Sequence, residues 1–284
     1  MDGDDERRRS VVTGSNPPLT NPAERARQEV ANGLRLYDRL NELISAGIAE
    51  TEFRLRPSTL MELNRLTVED LVQNPGRFRQ APITIPRSAH HPPNGNDTPL
   101  HTEEMCEYVN KTWAEASAVH LAAYVLWRVN WIQPFEDGNG RTARATAYLV
   151  LCTKLGHAIA GVPTFPDRIT QNRGRYYEAL RAADMAAARS RTDVSKLATF
   201  IQDLVVAQLQ DAVTGENGSQ GRISLPASSS SSTPPSAPRG VSTLDAKAER
   251  WRHRTAVISC GRYGPLGRGV HCLQDFCRER DFGS

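Results

Sequence analysis

Gln133-Pro-Phe135-Glu-Asp137-Gly138-Asn139-Gly140-Arg141-Thr-Ala-Arg144 is the stretch from which the rest of the chain is read. It stands between two strongly apolar runs. Ser117 to Trp131 carries Val119, Ala122, Ala123, Leu126 and Val129, apolar on every side, as a helix at the centre of a core must be. A second apolar helix is expected from about Arg141 to Leu155, closed by Gly156. The quoted residues are therefore a tight turn between two core helices, with the second starting near Asn139. The first-turn N–H groups of a helix lack internal partners and carry the positive end of its dipole. Gly138 and Gly140 would let a phosphate approach that backbone closely. Arg141 and Arg144, three apart, share one helix face and can reach the same polyphosphate. Asp137 is a hard oxygen ligand at the turn, suited to Mg²⁺ that also bridges phosphate oxygens. Phe135, flanked by polar residues, turns inward and anchors the loop.

Outward from this centre the chain reads as nearly all α. Val30, Leu34, Tyr37, Leu40, Ile44 and Ile48 recur at spacings of three and four, one helical stripe. Ser58 is placed to cap a helix carrying Leu60, Leu63 and Leu66, and Thr102 to cap another. Tyr176 to Ala183 and Val194 to Val205 continue helically. Only Phe78 to Pro99 differs: Ile83 and Ile85 alternate with Thr84 between prolines, which predicts a short strand or hairpin followed by a loop. The expected organisation is a disordered leader over 1–22, a helical domain over 23–212, a Ser/Pro/Gly-rich linker over 213–240 and a basic tail over 241–284.

The chain has 284 residues, a formal charge of +3 and 24% charged residues, which excludes a membrane bundle and a fully disordered chain. Eight basic and five acidic side chains fall in 241–284, leaving 27 of each before it, so the basic excess belongs to the tail. Nucleic acid is not an expected partner, and neither is a membrane. The most apolar run is interrupted by Lys154 and His157, and no targeting segment is read at the N-terminus. Five irregularly spaced cysteines point to a reducing compartment, the cytoplasm.

The central stretch resembles the signature of Fic-domain proteins, His-x-Phe-x-(Asp/Glu)-Gly-Asn-Gly-Arg-x-x-Arg. Phe135, Asp137, Gly138, Asn139, Gly140, Arg141 and Arg144 fill seven of its eight defined positions. Gly76-Arg-Phe-Arg79 with Ile83-Thr84-Ile85 resembles the family's flap. The resemblance implies an all-α Fic-type domain with a small β-hairpin flap. Its activity would be transfer of AMP from ATP, with Mg²⁺, to a Ser, Thr or Tyr hydroxyl of a target protein. By that resemblance Gly138, Asn139, Gly140, Arg141 and Arg144 hold the phosphates and Asp137 the metal, while Ile83, Thr84 and Ile85 dock the target by strand addition.

One position departs. The motif histidine, the general base, is Gln133 here. A carboxamide cannot accept a proton near neutral pH, although it can orient a hydroxyl. His120 lies ~20 Å back along an unbroken helix, and His90 and His91 lie on the flap. The expectation is therefore impaired AMP transfer, with a catalytically inactive nucleotide- or target-binding module as the alternative. The family's inhibitory helix, (Ser/Thr)-x-x-x-Glu-(Gly/Asn), fits only Ser58-Thr-Leu-Met-Glu62-Leu63, where Leu63 breaks it. No built-in inhibitor is expected, which leaves room for a separate inhibitor protein.

Overall fold

In the computed structural model the described residues are 11–12, 18–19, 21–85 and 90–219. The expected linker beyond residue 219 and the basic tail lie outside them, as does most of the leader. The described residues fall into two compact units, one drawn from 1–158 and 165–204 and the other from 159–164 and 205–219.

The first unit is built on two helices, α4 (Ala118–Ile132) and α5 (Asn139–Leu155), which pack against each other along the centre of the core. Their composition requires it. Leu121, Val125, Leu126, Val129 and Ile132 of α4, with Leu149, Val150 and Leu151 of α5, have no exposed surface. Ser117 starts α4 by accepting the His120 N–H, and Gly156 ends α5 in the left-handed region, as its sequence position predicts. Around this pair lie α1 (Pro22–Ala49) and α2 (Pro57–Val68) on α5, and α3 (Thr98–Lys111) on α4. The short α6 (Phe165–Gln171), α7 (Arg173–Ala187) and the start of α8 (Ser195–Ser219) complete the unit, with Tyr176 of α7 stacked on Phe200 of α8.

Several local expectations need correction. Pro57 rather than Ser58 opens α2, and no side chain caps it. Thr102 lies inside α3, where its hydroxyl donates to the Thr98 carbonyl, because Pro99 already starts the helix one turn earlier. The stripe on α1 is buried only at its middle: Val30 and Ile48 are 51% and 36% exposed. Asn32 and Gly47 complete the buried face instead. Asn32 donates to the Thr67 and Glu69 carbonyls at the C-terminal end of α2, satisfying groups the helix leaves unpaired. Gly47 lets α1 approach α5, since a Cβ there would meet Thr153 at 2.9 Å. α8 runs past residue 212 to Ser219.

Among the described residues the small β element is a two-stranded antiparallel pair. β2 (Ile83–Thr84) pairs with β1 (Val11–Val12), from the segment expected as a disordered leader, in the register Val11 to Thr84 and Val12 to Ile83. In the second unit, buried Gln208 donates to the carbonyls of Ile159 and Gly161, tying that segment to α8.

Arg79 ties the loop carrying β2 to the end of α4. Its guanidinium is 2% exposed and donates to the carbonyls of Gln133 (2.7 Å), Pro93 (2.7 Å), Ala81 (2.9 Å) and Ile132 (3.3 Å). Its own N–H donates to the Pro134 carbonyl at 2.9 Å. Burial lowers its pKa, and carbonyl oxygens and the negative end of the α4 dipole offset that cost. Arg79→Met should cost about 3 kcal/mol in urea unfolding, because charge-assisted bonds are lost and carbonyls are stranded. Arg79→Lys should recover less than half of that, since one ammonium cannot span four carbonyls.

Candidate nucleotide site at the start of α5

The turn between α4 and α5 begins at Gln133, which caps α4 in the left-handed conformation (φ 49°, ψ 60°). A non-glycine residue there costs roughly 1–2 kcal/mol. The Arg79 bond to the Gln133 carbonyl, and the Gln133 N–H bond to the Val129 carbonyl, hold it. The Gln133 side chain folds back along α4, donating Nε2 to the Asn130 carbonyl at 3.0 Å, and the residue is 7% exposed. Asn130 in turn donates to its own Leu126 carbonyl and to the Tyr176 hydroxyl. Burial pushes the Tyr176 phenol well up, against the pull of nearby Arg144.

Phe135 is 1% exposed, stacks on Phe78 at 5.6 Å and forms an antiparallel bridge with it. It anchors the loop as the sequence suggests. Asn139 has another task than the expected one. Its Oδ1 accepts the Phe135 N–H (2.9 Å) and its Nδ2 donates to the Phe135 carbonyl (2.8 Å), so its buried amide is spent shaping the turn. What Asn139 retains for an anion is its backbone N–H.

The two glycines also divide. Gly138 has φ +77°, and a Cβ there would meet Val68 at 2.6 Å and Thr67 at 3.0 Å, so it serves the packing of the turn on α2. At Gly140 the nearest atom to a Cβ would be Nη1 of Arg144, at 3.5 Å. Gly140, unlike Gly138, is thus not crowded: a Cβ there would make only an ordinary contact. No side chain caps α5, and its first turn holds no acid, so the positive end of the dipole is offered outward. Arg141 and Arg144 are both half-buried beside that end.

Asp137 is oriented from several sides. Its Oδ1 accepts the Gly138 N–H, and its Oδ2 lies 3.1 Å from Nη2 of Arg25 and 3.8 Å from Nη2 of Arg141. Its carbonyl accepts from Asn64, whose Oδ1 takes the Gly76 N–H. Arg25 and Asn64 are the residues sequence reasoning missed. Arg25 carries no sequence signal, being one of many arginines on α1. Asn64 is a polar residue on the buried side of α2, next to Leu63 and close to Leu60, and that was a usable clue. Among the described residues no cluster of three or more His, Cys, Asp or Glu side chains could hold a metal. Asp137, with no metal-binding cluster around it among the described residues, would suit Mg²⁺ held mainly by phosphates and water.

Ile83 is buried, Thr84 exposed, and Ile85 half-buried just past the strand. His90 accompanies Trp131, its Nε2 2.7 Å from the Trp131 carbonyl, two residues before Gln133. His120 sits in the first turn of α4, bonded to Tyr108, with burial lowering its pKa.

Residues 54–151 match the family model described as Fic/DOC family. They are a Fic domain. Curated relatives named "Protein adenylyltransferase Fic" include one from Drosophila persimilis, 24% identical over 179 residues, and one from Drosophila willistoni, 23% identical over 179 residues. Each alignment covers 58% of this chain and 32% of the relative, so the chain spans about a third of their length. Among solved structures, a Fic family protein from Desulfovibrio desulfuricans aligns at TM-score 0.51 and 20% identity, over 73% of this chain and 57% of that one. A Fic domain containing signaling protein from Bacteroides thetaiotaomicron aligns at 0.53 and 21%, over 65% and 71%. Fic-1 from C. elegans aligns at 0.52 and 19%, over 71% and 56%. These likenesses show that the helical arrangement is a Fic fold. No helix among the described residues is long and apolar enough to cross a membrane.

The unequal roles of the Fic glycines are testable. Gly138→Ala should lose about 2–4 kcal/mol in urea unfolding, from the left-handed strain and the Val68 clash. Gly140→Ala should be neutral or gain up to about 1 kcal/mol, because alanine favours the helix and meets nothing closer than ordinary contact.

Proposed function

We propose that this chain binds ATP at the start of α5 and transfers AMP to a hydroxyl of a target protein, slowly, because Gln133 stands where a general base is required. The observation that carries this reading is the uncapped N-terminus of α5, set beside Asp137, Arg141 and Arg144, with Gly140 crowded by nothing closer than ordinary contact with Arg144. The curated relatives' name, adenylyltransferase, supports AMP as the group moved. In that reaction the target hydroxyl oxygen bonds to the α-phosphorus, the α–β bridging bond breaks and pyrophosphate leaves. The hydroxyl proton goes to water, since the carboxamide cannot take it. The α5 amides and both arginines hold the phosphates, and Mg²⁺, when bound, neutralises their outer charge beside Asp137. Ile83, Thr84 and Ile85 align the target strand, and we place the protein in the cytoplasm. Control by a separate inhibitor protein is compatible with this scheme.

A second reading, a nucleotide- or target-binding module without turnover, has its own support. The Gln133 amide is committed to Asn130 and nearly buried, and so poorly placed to act on a substrate.

Labelled ATP and a cell lysate separate the two. Gln133→His should raise AMP transfer by about 10²–10⁴-fold, the usual scale of general-base catalysis. Histidine also tolerates the left-handed conformation better than most residues. Vigorous transfer by the natural chain that the substitution leaves unchanged would overturn the impaired-enzyme reading. Silence in both forms, with ATP still bound, would favour the module.

Arg25 gives an independent check on the metal. Its guanidinium now holds the oxygen that a divalent cation would use. With Arg25→Gln, Mn²⁺ bound with a non-hydrolysable ATP analogue should bind about tenfold tighter by electron paramagnetic resonance. That corresponds to roughly 1.4 kcal/mol for a partly buried ion pair. Weaker binding would instead make Arg25 a phosphate ligand.

A further inference from the structure

The loop that carries β2 is fixed to the nucleotide-site turn at three points. Phe78 bridges Phe135, the Arg79 N–H donates to Pro134, and the Arg79 guanidinium donates to the Gln133 carbonyl while also holding Ala81 before β2 and Pro93 after it. Ile83 is four residues from Arg79, at most ~14 Å of chain. Whatever strand pairs with β2 is therefore held at a set distance from Gln133. The chain itself supplies that strand. Val11 and Val12 lie antiparallel to Thr84 and Ile83.

From this arrangement we infer that residues 11–12 are an internal occupant of the target-docking edge, which a target segment must displace. This rests on the reading of β2 as that edge. A strand edge offers one row of backbone donors and acceptors, and a ladder already formed there satisfies them. The two valines suit the role, since β-branched residues favour strands. The tether also suits it. Eight residues separate Val12 from Asn21, which caps α1, and this stretch of chain reaches at most about 30 Å. A segment tethered at that range acts at an effective concentration on the order of millimolar, above the level of most protein targets. The ladder is only two residues long, so each bond lost is quickly regained elsewhere. The occupant is an exchangeable plug, and it selects for targets with a longer extended, β-branched segment.

The probe is a fluorescein-labelled peptide, Arg8-Arg-Ser-Val11-Val12-Thr-Gly14, read by anisotropy against the full natural chain and against the full Val11→Pro/Val12→Pro chain. Proline lacks the donor and cannot enter the ladder. The proline chain should bind the peptide at least about tenfold tighter than the natural chain. A scrambled peptide should bind neither. Neighbouring strand amides point to opposite edges, so exchange at the one of Ile83 and Thr84 that faces residues 11–12 should speed up in the proline chain and slow again when peptide is added. Equal binding to both chains would mean that the peptide uses the other edge of β2, and would overturn the inference. So would binding to neither chain, or unchanged exchange at that amide. None of these readouts requires ATP or AMP transfer, so a chain silent in the labelling assay still decides the question. Loss of transfer with the exchange pattern intact would count against the catalytic reading alone.

Discussion

The Arg79 guanidinium is a buried cation with no carboxylate against it among the described residues, and the geometry around the site depends on how it is neutralised. It takes the carbonyls at the end of α4, where the helix dipole is negative, and the carbonyls on both sides of β2. A salt bridge would have satisfied the charge with one partner and fixed one distance. Carbonyls from separate segments fix several at once: the left-handed Gln133, the entry to β2 and the exit from it. The desolvation cost is severe, which makes the arrangement unforgiving. No smaller or less branched side chain reaches the same oxygens.

With that frame in place, the Gly-Asn-Gly turn separates into residues that build it and residues that face outward. Asn139 closes the turn on the Phe135 backbone, and Gly138 fits it against Thr67 and Val68 of α2. Asn64 braces it from outside by holding the Asp137 carbonyl and the Gly76 N–H. What remains for a ligand is the start of α5, Gly140, the two arginines and one carboxylate. The sequence motif is thus largely a description of how to make a particular turn. Fewer of its positions than its length suggests are left to touch a substrate.

That division explains what could be read in the residues and what could not. α4 and α5 were legible because a helix apolar on every side has one place to go, and because Ser117 and Gly156 mark two of their ends by local chemistry. The Phe135 anchor followed from an apolar residue among polar ones. The start of α3 was misplaced because Thr102 has the chemistry of a cap but makes its bond inside the helix. The ends of the α1 stripe were misread because a 28-residue helix outruns its neighbours, and periodicity carries no information about where the neighbours stop. Arg25, Asn64 and Arg79 were invisible as site residues because their roles arise from contacts tens of residues away. The same holds for Val11 and Val12, whose pairing with β2 is set by tertiary placement and not by local propensity.

Gln133 joins both lines of argument. As the cap that follows α4 it adopts a left-handed conformation, donates its N–H to Val129 and offers its carbonyl to Arg79, and none of these demands concerns its side chain. The turn can therefore keep its shape whichever residue stands there, provided the left-handed strain is tolerated. A residue that cannot accept a proton at this position does not by itself dismantle the proposed anion site a few residues on. The glutamine side chain has instead found a local partner in Asn130, which already reaches Tyr176. Its amide now continues a chain of polar contacts running from the turn toward α7 and the surroundings of Arg144. The architecture that would bind a nucleotide and the group that would move a proton are separable here, because the backbone of residue 133 holds the turn and its side chain adds only the bond to Asn130.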